Sequence, residues 1–551
     1  MTAKTFYITC AIDYVNSNPH LGTAYEKIAA DALARYHRLA GEEVYFLMGT
    51  DEHSLNVERA ARRQGLEPLA YTDAMAAQFE SVWQSLELSY DVFLRTSEPR
   101  HHRAVQELFR RIHERGDIFK GKYEGYYCVG CEGFKQEKDL AEGLCPVHRT
   151  QPDWIEEENY FFRLSRYAQP LLDHFAAHPE FLVPASRRNE IVKVIEGGLE
   201  DISVSRPGSG WGVPLPLDPA QRVYVWFDAL INYITGAGFG SDAPEDQARF
   251  AKYWPADVHV IGKDITRFHA IIWPAMLMSG GVALPRQVLG HGWVTFKGEK
   301  LSKSLGNIVE PLAVTSRFGA DPLRYYLLKE VPLSRDGDFT WDLFIERYNS
   351  ELANDLGNLV SRTVTMAVKY FGGAVPAVCD LEKGGPDRDL SGLAERAVAE
   401  YRHAFAEMAV DEAIAAAWSL VRRANQYIEE TAPWKVAKEA GPVVPGASLT
   451  AGGARLAAIM NALLESVRLS ALMLTPVMPG KCAEIRARLK SGVAESELSF
   501  AQARWAPVEF RPAEPLTSLV PGDRGRSSEA VAALWIDVNA RRAAPEGAEG
   551  S

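Results

Sequence analysis

Runs of alternating and helical hydrophobic period succeed one another at the amino end of this chain. "FYITCAI" is short, apolar and β-branched. After a turn-rich stretch, "GTAYEKIAADALARYHRLAG" places Ile28, Leu33, Tyr36 and Leu39 near helical spacing before Gly41 closes the run. Strand, loop and helix in that order open a βαβ unit, and "EEVYFLMGTDEH" supplies the next strand, ending in Thr50, Asp51, Glu52 and His53. Polar residues at the carboxyl end of a parallel strand sit where open α/β sheets bind ligands, although an ordinary strand-ending turn has the same composition. Helical stretches are expected up to about residue 115, followed by the Gly- and aromatic-rich "YEGYYCVGCEGFKQEKDLAEGLCPVH". Strand-then-helix patterning resumes in "RVYVWFDALINYITG" and "DVHVIGKDITRFHAIIWPAMLMSG", and again at "QVLGHGWVTF". The pattern predicts an α/β protein with a Rossmann-type parallel sheet split by an insertion of about a hundred residues. From about residue 345 the period is helical throughout; Ile414, Trp418, Val421 and Ile428 define one apolar face, so a separate all-α bundle is expected.

With 551 residues, 47% of them hydrophobic, the chain can fill several cores. No window holds the roughly 18 unbroken apolar residues of a membrane span, and the first residues lack a secretory pattern, so a cytoplasmic protein without a membrane partner is expected. The net charge of −12 argues against indiscriminate coating of nucleic acid and leaves room for a local basic surface. The final stretch, with "PGDRGRSS" and "APEGAEGS", reads as weakly structured.

Three clusters carry chemistry on their residue types alone. Cys128 and Cys131, then Cys145 and His148, form two short pairs on knuckle-like turns; four such ligands close a tetrahedron around a structural zinc, where unrelated core cysteines are the alternative. In "NPHLGTAYEK", His20 precedes a helix opened by Gly22, whose unpaired amides and positive dipole suit an anion; a simple cap is the alternative. In "KGEKLSKSLGN", Lys300 and Lys303 lie on a glycine-flanked loop able to close over a triphosphate, though lysines and serines also make plain exposed turns.

Together these motifs resemble the class I aminoacyl-tRNA synthetases. His20-Leu21-Gly22-Thr23 is similar to the HIGH signature and Lys300-Leu301-Ser302-Lys303-Ser304 to KMSKS. The resemblance continues through "YFLMGTDEH", "YVWFDALINY", "IGKDITRFHAIIWPAML" and "DPLRYYLLKE", over most of residues 5 to 480, and within the class it is to the methionyl-tRNA synthetases. It implies a ligase that uses ATP, with magnesium, to convert L-methionine to methionyl-adenylate and then charges initiator and elongator tRNA(Met). His20, Lys300 and Lys303 would be catalytic. ATP would be held by His20, Gly22, Thr23, Glu26, Gly262, Asp264, His291, Trp293, Val294, Lys300 and Lys303. Asp264 has a second reading, as an N-cap. Methionine would be held by Ile12, Tyr14, Asp51, Trp226, Ala229, Tyr233, Ile265, His269 and Trp273, many of which are also spaced like ordinary core faces. Asn358, Arg362 and Trp434 would read the anticodon, surface and core roles being the alternative.

The implied organisation is two catalytic halves at 1–116 and 223–295, a zinc-knuckle connective insertion at 117–222, and the KMSKS-loop and stem-contact region at 296–345. A helical anticodon-binding domain at 346–505 and a tail at 506–551 complete it. A monomer is expected. Three positions depart from the family pattern: Thr23 replaces the second signature histidine, Ser54 a glycine, and Asp13 an uncharged residue near the methionine side. Slower activation is the expectation from Thr23. The competing functions are an adenylating paralogue that ignores tRNA and a non-catalytic RNA-binding relative.

Overall fold

The computed structural model describes residues 4–128, 133–137, 140–146, 149–208, 210–301, 308–377, 384–443, 448–489 and 497–506, with the backbone alone at Phe134 and Lys300. The chain forms two compact units, one of residues 1–30, 43–84 and 88–292 and one of residues 31–42, 85–87 and 293–551.

The first unit is organised around a parallel sheet. Its early strands are β1 (Thr5–Cys10), β2 (Asp13–Tyr14), β3 (Glu43–Asp51) and β4 (Val92–Arg95); between β2 and β3 runs helix α1 (Leu21–Leu39), which belongs to this unit as far as Ala30. The spatial order is β2, β3, β1, Val258–Gly262, Val288–His291, Leu182–Val183, with β4 also paired to β3. Every one of these pairings is parallel. The strands are nearly continuous apolar runs because both faces of such a sheet are covered, which is why Ile8, Phe46, Leu47, Val260 and Ile261 are all buried. Gly41, at a positive φ of 87°, turns the chain from α1 into β3. The short strand β4 falls where sequence patterning gives only helix: four residues are too few to display a period.

Between β1 and Val258–Gly262 the strand order reverses direction, since β1 has β3 on one side and a strand some 250 residues later on the other. The crevice beyond the carboxyl ends of such strands is where open α/β sheets take ligands. Residues 117–222 contribute an antiparallel sheet of Gly133–Lys135, Ile118–Cys128, Asp153–Phe162 and Ile202–Ser203 and a smaller one of Ser205–Pro207, Asp218–Val223 and Pro214–Leu215. One strand within that span, Leu182–Val183, extends the parallel sheet itself through Val288 and Leu289.

The second unit is mainly helical, with a three-stranded sheet of Glu299–Lys300, Val294–Phe296 and Gly337–Phe339. Helices Asn358–Phe371, Gly385–Ala406, Val410–Thr431 and Ala451–Leu474 pack on one another. Ile414, Trp418, Val421 and Ile428 are all buried, as their spacing requires. Ala451–Leu474 is long and apolar enough by composition to cross a membrane, with mean hydropathy 1.4, yet 94% of that window is buried inside the chain as the bundle's central helix. Its Glu465 is fully buried and paired with Arg468 at 2.7 Å. Arg324, likewise without exposure, reaches Asp31 at 2.7 Å and the carbonyls of Leu86, Pro476 and Val477, so every side of its guanidinium has an acceptor. The tail beyond residue 506 lies outside the described residues.

Candidate active site

His20 stands at the mouth of α1. The amides of Gly22 and Thr23 donate to its Nδ1 at 3.1 and 3.3 Å, so the ring does cap the helix. An acceptor Nδ1 leaves the proton on Nε2, and the imidazole therefore offers a hydrogen-bond donor. Capping and anion recognition are thus compatible at this position. The Thr23 hydroxyl lies 3.4 Å from the same Nδ1.

Beyond the ends of the neighbouring strands, Gly262 and His291 face each other in register across Val258–Gly262 and Val288–His291. A Cβ on Gly262 would meet Asp264 Oδ1 at 2.7 Å, so a larger residue there would push that carboxylate away from the strand end. Asp264 is exposed, on a single 3₁₀ turn at Lys263–Ile265 rather than at the head of a regular α-helix. Glu26, on the buried face of α1, reaches His291 Nε2 at 3.1 Å with one carboxylate oxygen and Lys27 Nζ at 2.9 Å with the other. His291 Nδ1 donates to the Gly292 carbonyl at 2.7 Å. Burial raises the Glu26 carboxyl, but the Lys27 ammonium and the His291 hydrogen bond outweigh it and hold the group down at about 2.

The residues assigned to methionine line one another in the same unit. Tyr14 is in register with Asp51 across β2 and β3, and its ring meets the Trp226 indole edge-on at 5.9 Å. Trp226 stacks on Phe268 at 3.8 Å. The Tyr233 hydroxyl donates to His269 Nε2 at 2.6 Å, while His269 Nδ1–H donates to the Ile265 carbonyl at 3.0 Å. Burial lowers the His269 imidazole to about 4, so it stays neutral and its Nε2 remains an acceptor at physiological pH. Trp273 is fully buried, its Nε1–H donating to His259 Nε2 at 3.3 Å, 6.0 Å from the Tyr233 ring. Ile12 precedes Tyr14, and Ala229 receives the Asn232 amide on its carbonyl at 2.6 Å.

Two features here escape a sequence reading. Phe268 provides the stacking partner of Trp226. Asp228, fully buried, bridges His53 Nδ1 at 2.7 Å and His101 Nε2 at 2.8 Å, tying the residues after β3 to the helices Pro99–Glu114 and Val225–Leu230. Burial opposes the Asp228 charge, yet the two histidines drive its carboxyl far below the usual range. A charged residue inside the apolar run "VYVWFDALINY" is the one mark it leaves in the sequence. Ser54 proves to be an N-cap, accepting from the Val57 amide at 3.0 Å to start the helix Leu55–Arg63.

Trp293, Val294 and Lys300 belong to the second unit, where Thr295 pairs with Lys300 in a short antiparallel ladder. Lys303 lies outside the described residues. Of the four cysteine and histidine ligands, Cys128 and Cys145 are buried, at a strand end and in a tight turn closed by Arg149 N to Cys145 O at 2.7 Å. Cys131 and His148 lie outside the described residues, and among the described ones no group of three potential ligands assembles. In the helical region, Asn358 and Arg362 share one face of Asn358–Phe371, and the Arg362 guanidinium lies 6.0 Å from the Trp434 ring. Trp434 is 41% exposed, presented by a left-handed Ala432 (φ 41°) that ends one helix and lets Pro433 start the next. Arg362 also pairs with Glu429 at 2.7 Å.

A parallel sheet with this strand order, carrying a histidine-headed helix at its reversal point, defines a nucleotide-binding fold of the class I synthetase type. The family model "tRNA synthetases class I (M)" matches residues 6–151 and 135–364, and the chain belongs to that family. It is 45% identical over 511 residues to a methionine–tRNA ligase of Thermosynechococcus vestitus, spanning 91% of this chain and 94% of that one. A methionine–tRNA ligase of Caldanaerobacter subterraneus is 45% identical over 476 residues, 86% of this chain and 72% of the relative. Among solved structures, the methionyl-tRNA synthetase of Mycobacterium tuberculosis in complex with methionyl-adenylate superposes with a TM-score of 0.86 at 41% identity, covering 94% of this chain and all of that one.

Proposed function

We infer that this chain is a methionine–tRNA ligase: it activates methionine with ATP to methionyl-adenylate and transfers the methionyl group to tRNA(Met) for translation. The observation that carries the reading is the methionine-type synthetase match across both halves of the sheet, joined to a helix start whose histidine offers Nε2–H to an anion.

The methionine carboxylate attacks the α-phosphorus in line, an oxygen–phosphorus bond forms, and pyrophosphate leaves. A hydroxyl of the terminal adenosine of tRNA then attacks the activated carbonyl, giving the aminoacyl ester and AMP. No covalent enzyme intermediate is needed, so catalysis is positioning plus electrostatics. Asp51 holds the substrate ammonium, and Trp226, Tyr14, Tyr233, His269 and the residues around them enclose the thioether, where aromatic rings suit sulfur. His20 donates to phosphate oxygen, and Lys300 and Lys303 offset the charge that builds on the leaving group. Glu26, Gly262, Asp264 and His291 form the nucleoside side, and the family resemblance adds Trp293 and Val294. Magnesium arrives with ATP and neutralises its phosphates.

Three thiolates and an imidazole, Cys128, Cys131, Cys145 and His148, are a donor set that suits a closed, structural zinc site. Asn358, Arg362 and Trp434 supply the amide, guanidinium and exposed indole that recognise unpaired bases. A cytoplasmic monomer is consistent with this role.

The test is ATP–pyrophosphate exchange over a panel of amino acids, followed by charging of total tRNA. Exchange with methionine alone and charging of tRNA(Met) is the expected result. Exchange without charging would point to an adenylating paralogue, and no exchange at all to a non-catalytic relative. Thr23→His is expected to raise the exchange rate, since an imidazole can carry charge toward phosphate where a hydroxyl cannot.

A further inference from the structure

α1 carries a lysine where a helix facing a sheet should carry an apolar residue. The Lys27 side chain is only 1% exposed. Its ammonium touches three oxygens, each at 2.9 Å: the Ala11 carbonyl, Asp13 Oδ1 and Glu26 Oε1. Three acceptors saturate the three N–H bonds of an ammonium. Its position is therefore fixed, and its proton is held more firmly than in an exposed lysine: burial opposes the charge, and the Asp13 and Glu26 carboxylates override that. Glu26 in turn has both carboxylate oxygens engaged, by Lys27 and by His291, so it is held as a spacer between the Lys27 ammonium and the His291 ring. The His291 ring is then pinned from three sides, by Glu26, by the Gly292 carbonyl and by the edge of Tyr25 at 5.2 Å.

Neither Asp13 nor Lys27 has a role in the reaction as derived above. Asp13 sits beside Tyr14 in β2, and Glu26 and His291 belong to the nucleoside side, so the four groups form one continuous polar line across the site. From this geometry we propose that Asp13 and Lys27 are positioning residues: Lys27, anchored by Asp13, orients Glu26 and through it the His291 imidazole for ATP. The proposal rests on the assignment of His291 and Glu26 to the nucleotide.

A line of buried charges could serve only to hold α1 against the sheet, and the kinetics of pyrophosphate exchange separate the two roles. Lys27→Met, Asp13→Asn, Glu26→Gln and His291→Ala would each be titrated with ATP at saturating methionine and with methionine at saturating ATP. Lys27→Met is expected to raise the KM for ATP by about tenfold, the scale of one charge-assisted hydrogen bond, and to leave the KM for methionine within about twofold. Asp13→Asn should act in the same direction by about threefold. Lys27→Arg should recover most of the loss, and Lys27→Met combined with Glu26→Gln should cost little more than either alone, because both break one line. If Lys27→Met fails to fold, Asp13→Asn carries the decision by the same ratio of KM values. Equal changes in both KM values, or a fall in kcat alone, would overturn the positioning role. If His291→Ala leaves the KM for ATP unchanged, the assignment of His291 to the nucleotide fails. If His291→Ala raises it and neither Lys27→Met nor Asp13→Asn does, the line from Asp13 to His291 fails alone.

Discussion

The polar residues at the end of the parallel sheet and those on the helix Asn358–Phe371 are built on opposite physical principles. In the first unit Asp228, His101 and Lys27 are almost wholly buried, and each is hydrogen-bonded on several sides. In the helical region Trp434 is exposed and Arg362 half-buried, and the ion pair of Arg362 is to Glu429, itself 61% exposed. A site for a small charged substrate gains from groups fixed before binding, in a medium that does not screen them. A surface that reads flexible, unpaired bases needs planar groups left in solvent, where they can stack and exchange partners. Substitutions in the two regions should therefore differ in kind: buried partners should cost stability, exposed ones should cost recognition only.

The largest effect is expected at Asp228. Asp228→Ala leaves two histidines buried around a lost carboxylate, and breaking such a cluster costs about 3–5 kcal/mol. Urea unfolding measures it. A loss below about 1 kcal/mol would show that the sheet-end residues are no more tightly built than the helical face. Trp434→Ala should leave unfolding and methionine-dependent pyrophosphate exchange unchanged. Losing one stacked base, worth about 1–3 kcal/mol, should instead raise the KM for tRNA in charging by about five- to 150-fold. A parallel loss of exchange would break the contrast.

Titration sharpens it further. Burial, countered by Lys27 and reinforced by Glu26, raises Asp13 to about 6, whereas burial lowers His269 to about 4. Above pH 6 Asp13 is ionised and anchors Lys27; below it the carboxyl takes a proton and the anchor weakens. His269 stays neutral over the same interval. Between pH 7.5 and about 5, the KM for ATP should therefore rise as the KM for methionine stays flat, and Asp13→Asn should remove the dependence. Both KM values moving together would assign the titration to something common to the two substrates.

How far the sequence carried depends on how local each feature is. β1, α1 and β3 are short-range patterns, and Ile28, Leu33 and Leu39 are buried as their spacing demands. The helix cap by His20 was open to a residue-level reading for the same reason, since its partners are two and three positions away. Asp228 meets His53 and His101 across 175 and 127 residues, a distance over which no period is visible. Lys27 looks like a solvent-facing residue in "AYEKIAAD" until β2 brings Asp13 beside it. The π-helical turns at Phe268–Ile272 and Tyr348–Gly357 are equally silent, because an added residue per turn leaves the composition unchanged.

Among buried features, Ser54 is a modest one. Its hydroxyl caps Leu55–Arg63, so Ser54→Ala should cost about 1 kcal/mol in unfolding and little in exchange kinetics.

The smallest effect is expected at Glu429, and it tests the exposed side of the comparison most directly. Glu429 pairs with Arg362 at 2.7 Å, so a base edge or phosphate that binds the guanidinium would have to displace that carboxylate. An exposed pair of this kind is worth about 0–1 kcal/mol. Glu429→Gln should thus leave stability unchanged and lower the KM for tRNA by no more than about fivefold, because the competitor is gone and a local negative charge with it. The gain should shrink as salt rises, since added ions screen Glu429 in the parent chain. A weaker interaction with tRNA instead would mean that Glu429 holds Arg362 in its reading position, and the helical face would then be preorganised like the sheet end.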